Sequence, residues 1–183
     1  AKTVYDTALI KAKKIFGDDP ESADLIKTAA RLVLSKLYKS VADAKLVYDT
    51  ALIEAKKIFG DDPECEGLIR TAAYLVLNKL YKSAKDAKLA YDIALADAKK
   101  VFGDDPESEG ILKTVTLLVL RKLYSSVTDA KSIYDTALIE AKKNYGDDPN
   151  NRGLVRAAAS LAMQKKDPKA FLQKVKLDDI AII

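Results

Sequence analysis

The sequence predicts an all-α protein: a solenoid of four helical-hairpin repeats of 43 residues, followed by a divergent C-terminal tail. Three observations carry that prediction. Tyr5, Tyr48, Tyr91 and Tyr134 are spaced by 43 residues, and so are Pro20, Pro63, Pro106 and Pro149. The copies at 4–46 and 47–89 agree at 34 of 43 positions, and those at 47–89 and 90–132 at 26 of 43. A fixed period of this length is the mark of a repeat architecture. Within each copy the apolar residues recur at three- and four-residue steps, the period of a helix rather than a strand.

The second copy shows the elements in order. Ala44, Val47, Tyr48, Ala51, Leu52, Ala55, Ile58 and Phe59 form one apolar stripe. Gly60 closes that helix, since glycine tolerates the left-handed position past a helix end. In "DDPE", Asp62 is placed to cap the next helix, Pro63 suits its first turn, and Glu64 favours its N-terminal dipole. A second helix is expected from about Glu64 to Tyr81. It is apolar over more than half its circumference and is therefore the more buried of the pair. "LYKSAKDAK" contains neither glycine nor proline, yet Ser83 with Asp86 three residues later resembles a capping box. A tight turn at Lys82–Ser83 is preferred over a continuous helix of about 57 Å. Eight antiparallel helices of about 16–19 residues follow. One hairpin cannot bury both of its faces, so neighbouring copies stack. The fourth copy, 133–166, replaces Ile15, Ile58 and Val101 by Asn144, and Phe16, Phe59 and Phe102 by Tyr145. A more polar outer face of this kind suits the end of a solenoid.

Beyond Met163 the pattern stops. Residues 167–183 are expected to be a capping or interaction tail, with a short helix over about Pro168–Val175. "KLDDIAII" ends in Ile180, Ile182 and Ile183, apolar residues that need covering. The tail can fold over the open end of the solenoid, pair with a partner chain, or fill another copy's groove.

Composition excludes several function classes. Of 183 residues, 49% are hydrophobic and 32% charged, an ordinary globular balance. The 31 Lys and Arg and 27 Asp and Glu are interleaved, so the net charge of +4 reads as a solvated surface and not a nucleic-acid footprint. No apolar run is long enough to span a membrane, no signal-peptide pattern opens the chain, and soluble, cytoplasmic expression is expected. The chain has no histidine, which removes the commonest general base and metal ligand. There is no P-loop, dinucleotide or CxxC motif. Cys65, the one cysteine, replaces Ser22 and Ser108 in a first helical turn and reads as incidental and exposed. Lys36, Lys79 and Lys122 lie inside apolar runs and are expected to snorkel to water. The acidic "GDDPE" tips lack the ligand alternation of a calcium loop. No enzymatic activity and no cofactor are expected.

The two-helix unit, the "GDDPES" loops, the Ala/Leu/Lys/Glu vocabulary and the near-identity of the copies resemble the designed helical repeat proteins. The resemblance covers roughly residues 3–165. It implies a rigid all-helical scaffold, used for peptide binding, partner binding or assembly, and no particular activity. HEAT and armadillo repeats are natural two-helix solenoids of similar period, though their copies usually diverge further.

Since a perfect repeat carries no positional information, candidate binding residues are sought where the copies differ. Lys27/Arg70, Arg31/Tyr74 and Ser35/Asn78 are four apart and share one face of the second helix. Copy three continues that column as Lys113, Leu117 and Arg121. It reads as a polar outward stripe in which Tyr74 and Leu117 are anchors among polar neighbours. Copy three also changes Thr50 to Ile93, Ile53 to Ala96, Ala72 to Val115 and Ala73 to Thr116, which reads as apolar volume moved along the interior. The predicted partner-binding set is therefore Arg31, Tyr74, Asn78, Ile93, Ala96, Leu117 and Arg121. The Tyr–Asp pairs offer a second regular ladder, in competition with a plain role for the tyrosines in the stripe and a surface ion pair between Asp49 and Lys45. The expected function is a non-enzymatic scaffold presenting a groove or face to a peptide or protein segment. The alternative is a purely structural or assembly component, including self-association through the tail.

Overall fold

The computed structural model describes residues 2–17, 20–60, 62–105 and 108–164. Every regular element among them is helical: α1 (Lys2–Phe16), α2 (Ala23–Leu34), α3 (Val41–Phe59), α4 (Glu66–Leu77), α5 (Ala84–Phe102), α6 (Glu109–Leu120), α7 (Val127–Tyr145) and α8 (Arg152–Met163). Short 3-10 turns at Pro20–Ser22, Pro63–Cys65 and Pro149–Asn151 lead into α2, α4 and α8. The chain divides into two compact units, Ala1–Leu89 and Ala90–Ile183, with the division falling inside α5. The predicted tail, 167–183, lies outside the described residues.

Helix boundaries follow from local chemistry. Ser40 and Ser126, in extended backbone, accept the N–H groups of Asp43 and Asp129 at 3.1 Å; Ser83 accepts that of Asp86 at 3.1 Å. The serine half of the expected capping box is thus present. Asp129 also receives hydrogen bonds from the hydroxyls of Ser125 and Ser126, which hold its carboxyl below the usual aspartate range. At the other end Gly60 adopts φ 85° and donates to the carbonyl of Lys56. Asp62 accepts the N–H of Glu64, but the element it caps is the 3-10 turn, so α4 begins two residues later than expected.

The second helix of each pair is shorter than the sequence suggests. α4 ends at Leu77, four residues before Tyr81, because Lys79 turns into the left-handed region at φ 56°. The N–H of Lys79 then reaches the carbonyl of Val76, and that of Leu80 the carbonyl of Leu75. These two bonds make a Schellman motif with lysine in the place usually held by glycine. Lys36 (φ 61°) and Lys122 (φ 56°) do the same. These lysines are therefore exposed turn residues rather than members of an apolar helix. A side chain in this conformation costs about 1–2 kcal/mol, partly offset by glycine's greater freedom in the unfolded chain. Lys36→Gly is expected to raise stability by about 0.5–1 kcal/mol in urea unfolding. Lys79→Gly should gain less, because the Lys79 ammonium lies 5.1 Å from the Tyr38 ring centre and would be lost with the side chain.

In unit 1, α1 packs with α2, α2 with α3, α3 with α4, and α1 with α3. Alanine dominates the contact faces: Ala12, Ala29, Ala44, Ala55 and Ala73 are fully buried, which brings helix backbones close together. Leu77 is also fully buried and packs in one cluster with Ile26, Leu32, Tyr38 and Val41. In unit 2 the C-terminal part of α5, α6, α7 and α8 share one core containing Ala98, Leu112, Val115, Leu118, Tyr134, Val155 and Met163. The second helices are the more deeply placed: six of twelve residues are buried in α4, against four of nineteen in α3. Tyr145 is buried at 8% exposure, with its carbonyl accepting from Asn151. Asn144 is exposed. Tyr145 belongs to the core of unit 2, so of the two expected end-face changes only Asn144 lies outside.

Two tyrosine struts recur. The Tyr38 hydroxyl donates to the carbonyl of Leu77 at 2.7 Å in unit 1, and that of Tyr124 to the carbonyl of Met163 at 2.7 Å in unit 2. Both acceptors lie in the last helical turn, where carbonyls lack intrahelical partners.

Candidate partner-binding face

The seven residues selected from the sequence lie in different surroundings within the two units. In unit 1, Arg31 is exposed, but Tyr74 is half-buried, and its hydroxyl makes a 2.9 Å hydrogen bond with the hydroxyl of Thr28, itself 5% exposed on α2. Tyr74 therefore ties α4 to α2. Asn78 is half-buried and donates from Nδ2 to the carbonyl of Tyr74 at 2.8 Å, closing the C-terminus of its own helix. In unit 2, Leu117 is half-buried, and Arg121 is the exposed C-cap residue of α6. Ile93 and Ala96, read from the sequence as interior changes, are exposed, Ile93 by 56%. The interior changes of copy three are Val115 and Thr116, both 0% exposed.

What the sequence reading missed lies on the first helix of each pair. Leu46 (69%) and Ile53 (57%) of α3, Ile10 (57%) of α1, and Leu89 (61%) of α5 are exposed in unit 1; Ile139 (56%) of α7 joins Ile93 in unit 2. Leu46, Thr50 and Ile53 step by four and three residues, so they share a face, and that face is distinct from the buried one of Ala44, Ala51 and Ala55. Ile10, Ile53, Ala96 and Ile139 occupy the same repeat position. The signal was present in the sequence as a second apolar stripe offset from the first.

The remaining candidates are structural. Lys45 pairs with Asp49 at 2.6 Å and Lys131 with Asp135 at 2.7 Å. Phe16 meets Tyr48 edge-on at 6.4 Å, and Phe102 meets Tyr134 at 5.8 Å. Burial raises the hydroxyl pKa of Tyr38, Tyr48, Tyr81, Tyr124 and Tyr134 above 10.0. Near Tyr48 and Tyr134, Arg70 and Arg156 oppose that rise while Asp49 and Asp135 add to it. Because the fold favours the protonated phenols, their contribution is complete below pH 10 and is lost as pH rises through the raised values. Urea midpoints are therefore expected to fall above about pH 10, with tyrosinate absorbance appearing later in the native protein than in the unfolded chain. Cys65 is half-buried, not exposed, and lies at the N-cap of α4 without a side-chain cap bond.

A groove of about 320 Å³ opens between α1 and the start of α3, lined by Val4, Ala8, Val33 and Val41 and flanked by Lys11 and Lys39. Lys11 stands in the repeat position of Glu54, whose carboxylate accepts the N–H of Ala84, the first residue of α5, at 2.9 Å. Lys11→Glu is expected to stabilise unit 1 by about 1 kcal/mol by supplying the same acceptor to Val41 at the start of α3. Matched thermal melts of the two proteins measure it.

Among the described residues no group of three or more Cys, Asp or Glu side chains is placed to hold a metal ion, and no helix is long and apolar enough to cross a membrane. No protein-family model matches the chain, and no curated protein or solved structure matches it.

Proposed function

We propose that the chain is a non-enzymatic binding scaffold of designed origin, a solenoid of four helical hairpins that presents the outer face of its first helices to a peptide or protein segment. The observation that carries this reading is the recurrence of large exposed aliphatics at one repeat position: Ile10, Ile53 and Ile139 at 57, 57 and 56% exposure. None of the three belongs to a buried core cluster, and on α3 Leu46 and Ile53 share one exposed apolar face, the kind of surface that marks an interaction site. The near-identity of the copies supports design, and the absence of histidine from the sequence supports a role without acid–base chemistry.

Selection of a displayed peptide library on the protein tests the reading. Peptides that bind the parent and lose binding to Leu46→Lys/Ile53→Lys are the expected result. Peptides that bind both equally, or no enrichment over a charged control helix, would overturn it.

A further inference from the structure

Resting on that reading, we propose that the occupant of the exposed face in unit 1 is a second copy of this chain, docked by the same face in two-fold, antiparallel register. The face on α3 is a seam: Asp43, Leu46, Thr50, Ile53 and Lys57 step by three, four, three and four residues, the spacing that keeps one line of side chains against a partner helix. All five are exposed. The Thr50 hydroxyl is occupied by the carbonyl of Leu46 at 2.7 Å, so it makes no demand on a partner. Thr7, Ile10 and Lys14 of α1 repeat the seam's second half, and the Thr7 hydroxyl bonds the carbonyl of Thr3 at 2.8 Å in the same way.

The ends of the seam decide the occupant. Its N-terminal end is acidic at Asp43 and its C-terminal end basic at Lys57 and Lys14. Laid against itself antiparallel, the seam brings Asp43 of each copy to Lys57 of the other and Leu46 to Ile53. Laid parallel, it brings acid to acid and base to base. A surface that is its own antiparallel complement has the geometry of an isologous contact. The exposed aliphatics, with the threonine methyls and lysine stems, amount to a few hundred Å² per copy, short of the about 800 Å² per partner of a standard stable interface. The association is therefore weak, with a dissociation constant on the order of 100 μM.

Sedimentation equilibrium of the full chain from about 5 μM to 1 mM tests the proposal, a range that brackets the expected constant. The weight-average mass is expected to rise from monomer toward dimer, and Leu46→Lys/Ile53→Lys is expected to remain monomeric throughout. Lys57→Glu alone and Asp43→Lys alone should each weaken self-association several-fold. An equimolar mixture of the two should recover it, since each then offers the other two opposite-charge contacts. A parent chain monomeric at 1 mM, or a dimer that survives Leu46→Lys/Ile53→Lys, overturns the proposal. If the parent is monomeric while selected peptides still depend on Leu46 and Ile53, the second copy is ruled out and the binding scaffold stands. If both fail, the scaffold reading fails with it.

Discussion

Replacing Tyr38 by alanine is expected to destabilise unit 1 by about 3–5 kcal/mol, the range for truncating a buried aromatic side chain. Tyr38 is 9% exposed, packs with Ile26, Leu32 and the fully buried Leu77, and donates to the Leu77 carbonyl at 2.7 Å. Two losses therefore combine: the ring leaves a cavity in an alanine-rich core, and a carbonyl at the end of α4 loses its donor. Tyr38→Phe separates them. It keeps the ring and is expected to cost about 1–2 kcal/mol, the penalty for leaving a buried acceptor unsatisfied. Tyr124→Phe makes the same deletion in unit 2, where the acceptor is Met163. Urea unfolding of the three variants checks the ordering. Equal stability of Tyr38→Phe and the parent would mean that water replaces the hydroxyl at Leu77.

Replacing Thr116 by valine is expected to do the opposite and stabilise unit 2 by about 1–2 kcal/mol. Thr116 is 0% exposed, and its Oγ1 is a buried side-chain oxygen without a hydrogen-bond partner. The corresponding residues are Ala30, Ala73 and Ala159, each fully buried, so at this repeat position the hydroxyl belongs to copy three alone. Valine keeps the shape and removes the group whose desolvation is uncompensated. Thr116→Ala also removes the hydroxyl but gives up a methyl group's contacts, so it should fall between the parent and the valine variant. For a chain of this length 1 kcal/mol corresponds to roughly 2–4 °C in Tm, within reach of calorimetry. No rise with valine would show that the hydroxyl bonds a carbonyl one turn back.

The sequence carried the all-helical class, the glycine stops and the serine caps, because each rests on residues near in the chain. It misplaced the end of α4. "NKLY" continues the apolar period through Tyr81, and the left-handed backbone at Lys79 has no marker when lysine stands where glycine is usual. The surroundings of the predicted binding set were illegible for a different reason. A four-residue spacing tells which residues share a face of a helix, but not what that face meets. Tyr74 lies on a face directed toward Thr28, forty-six residues away, and that relation comes from packing. An isoleucine in an amphipathic helix reads by default as a core residue, and Ile53 departs from that expectation. Its 57% exposure becomes legible only beside the buried Ala51 and Ala55.

The unequal burial of the two helices in each pair has a consequence for how much of this chain can be rewritten. α4 commits half of its twelve residues to the interior; α3 commits four of nineteen. Substitution tolerance should divide accordingly, with the second helices fixed by volume and the outer positions of the first helices nearly free. A saturation library restricted to positions 46, 50 and 53 would sample new surface chemistries on an unchanged frame. The same diversity placed at 72, 73 and 75 would be spent mostly on unfolded chains.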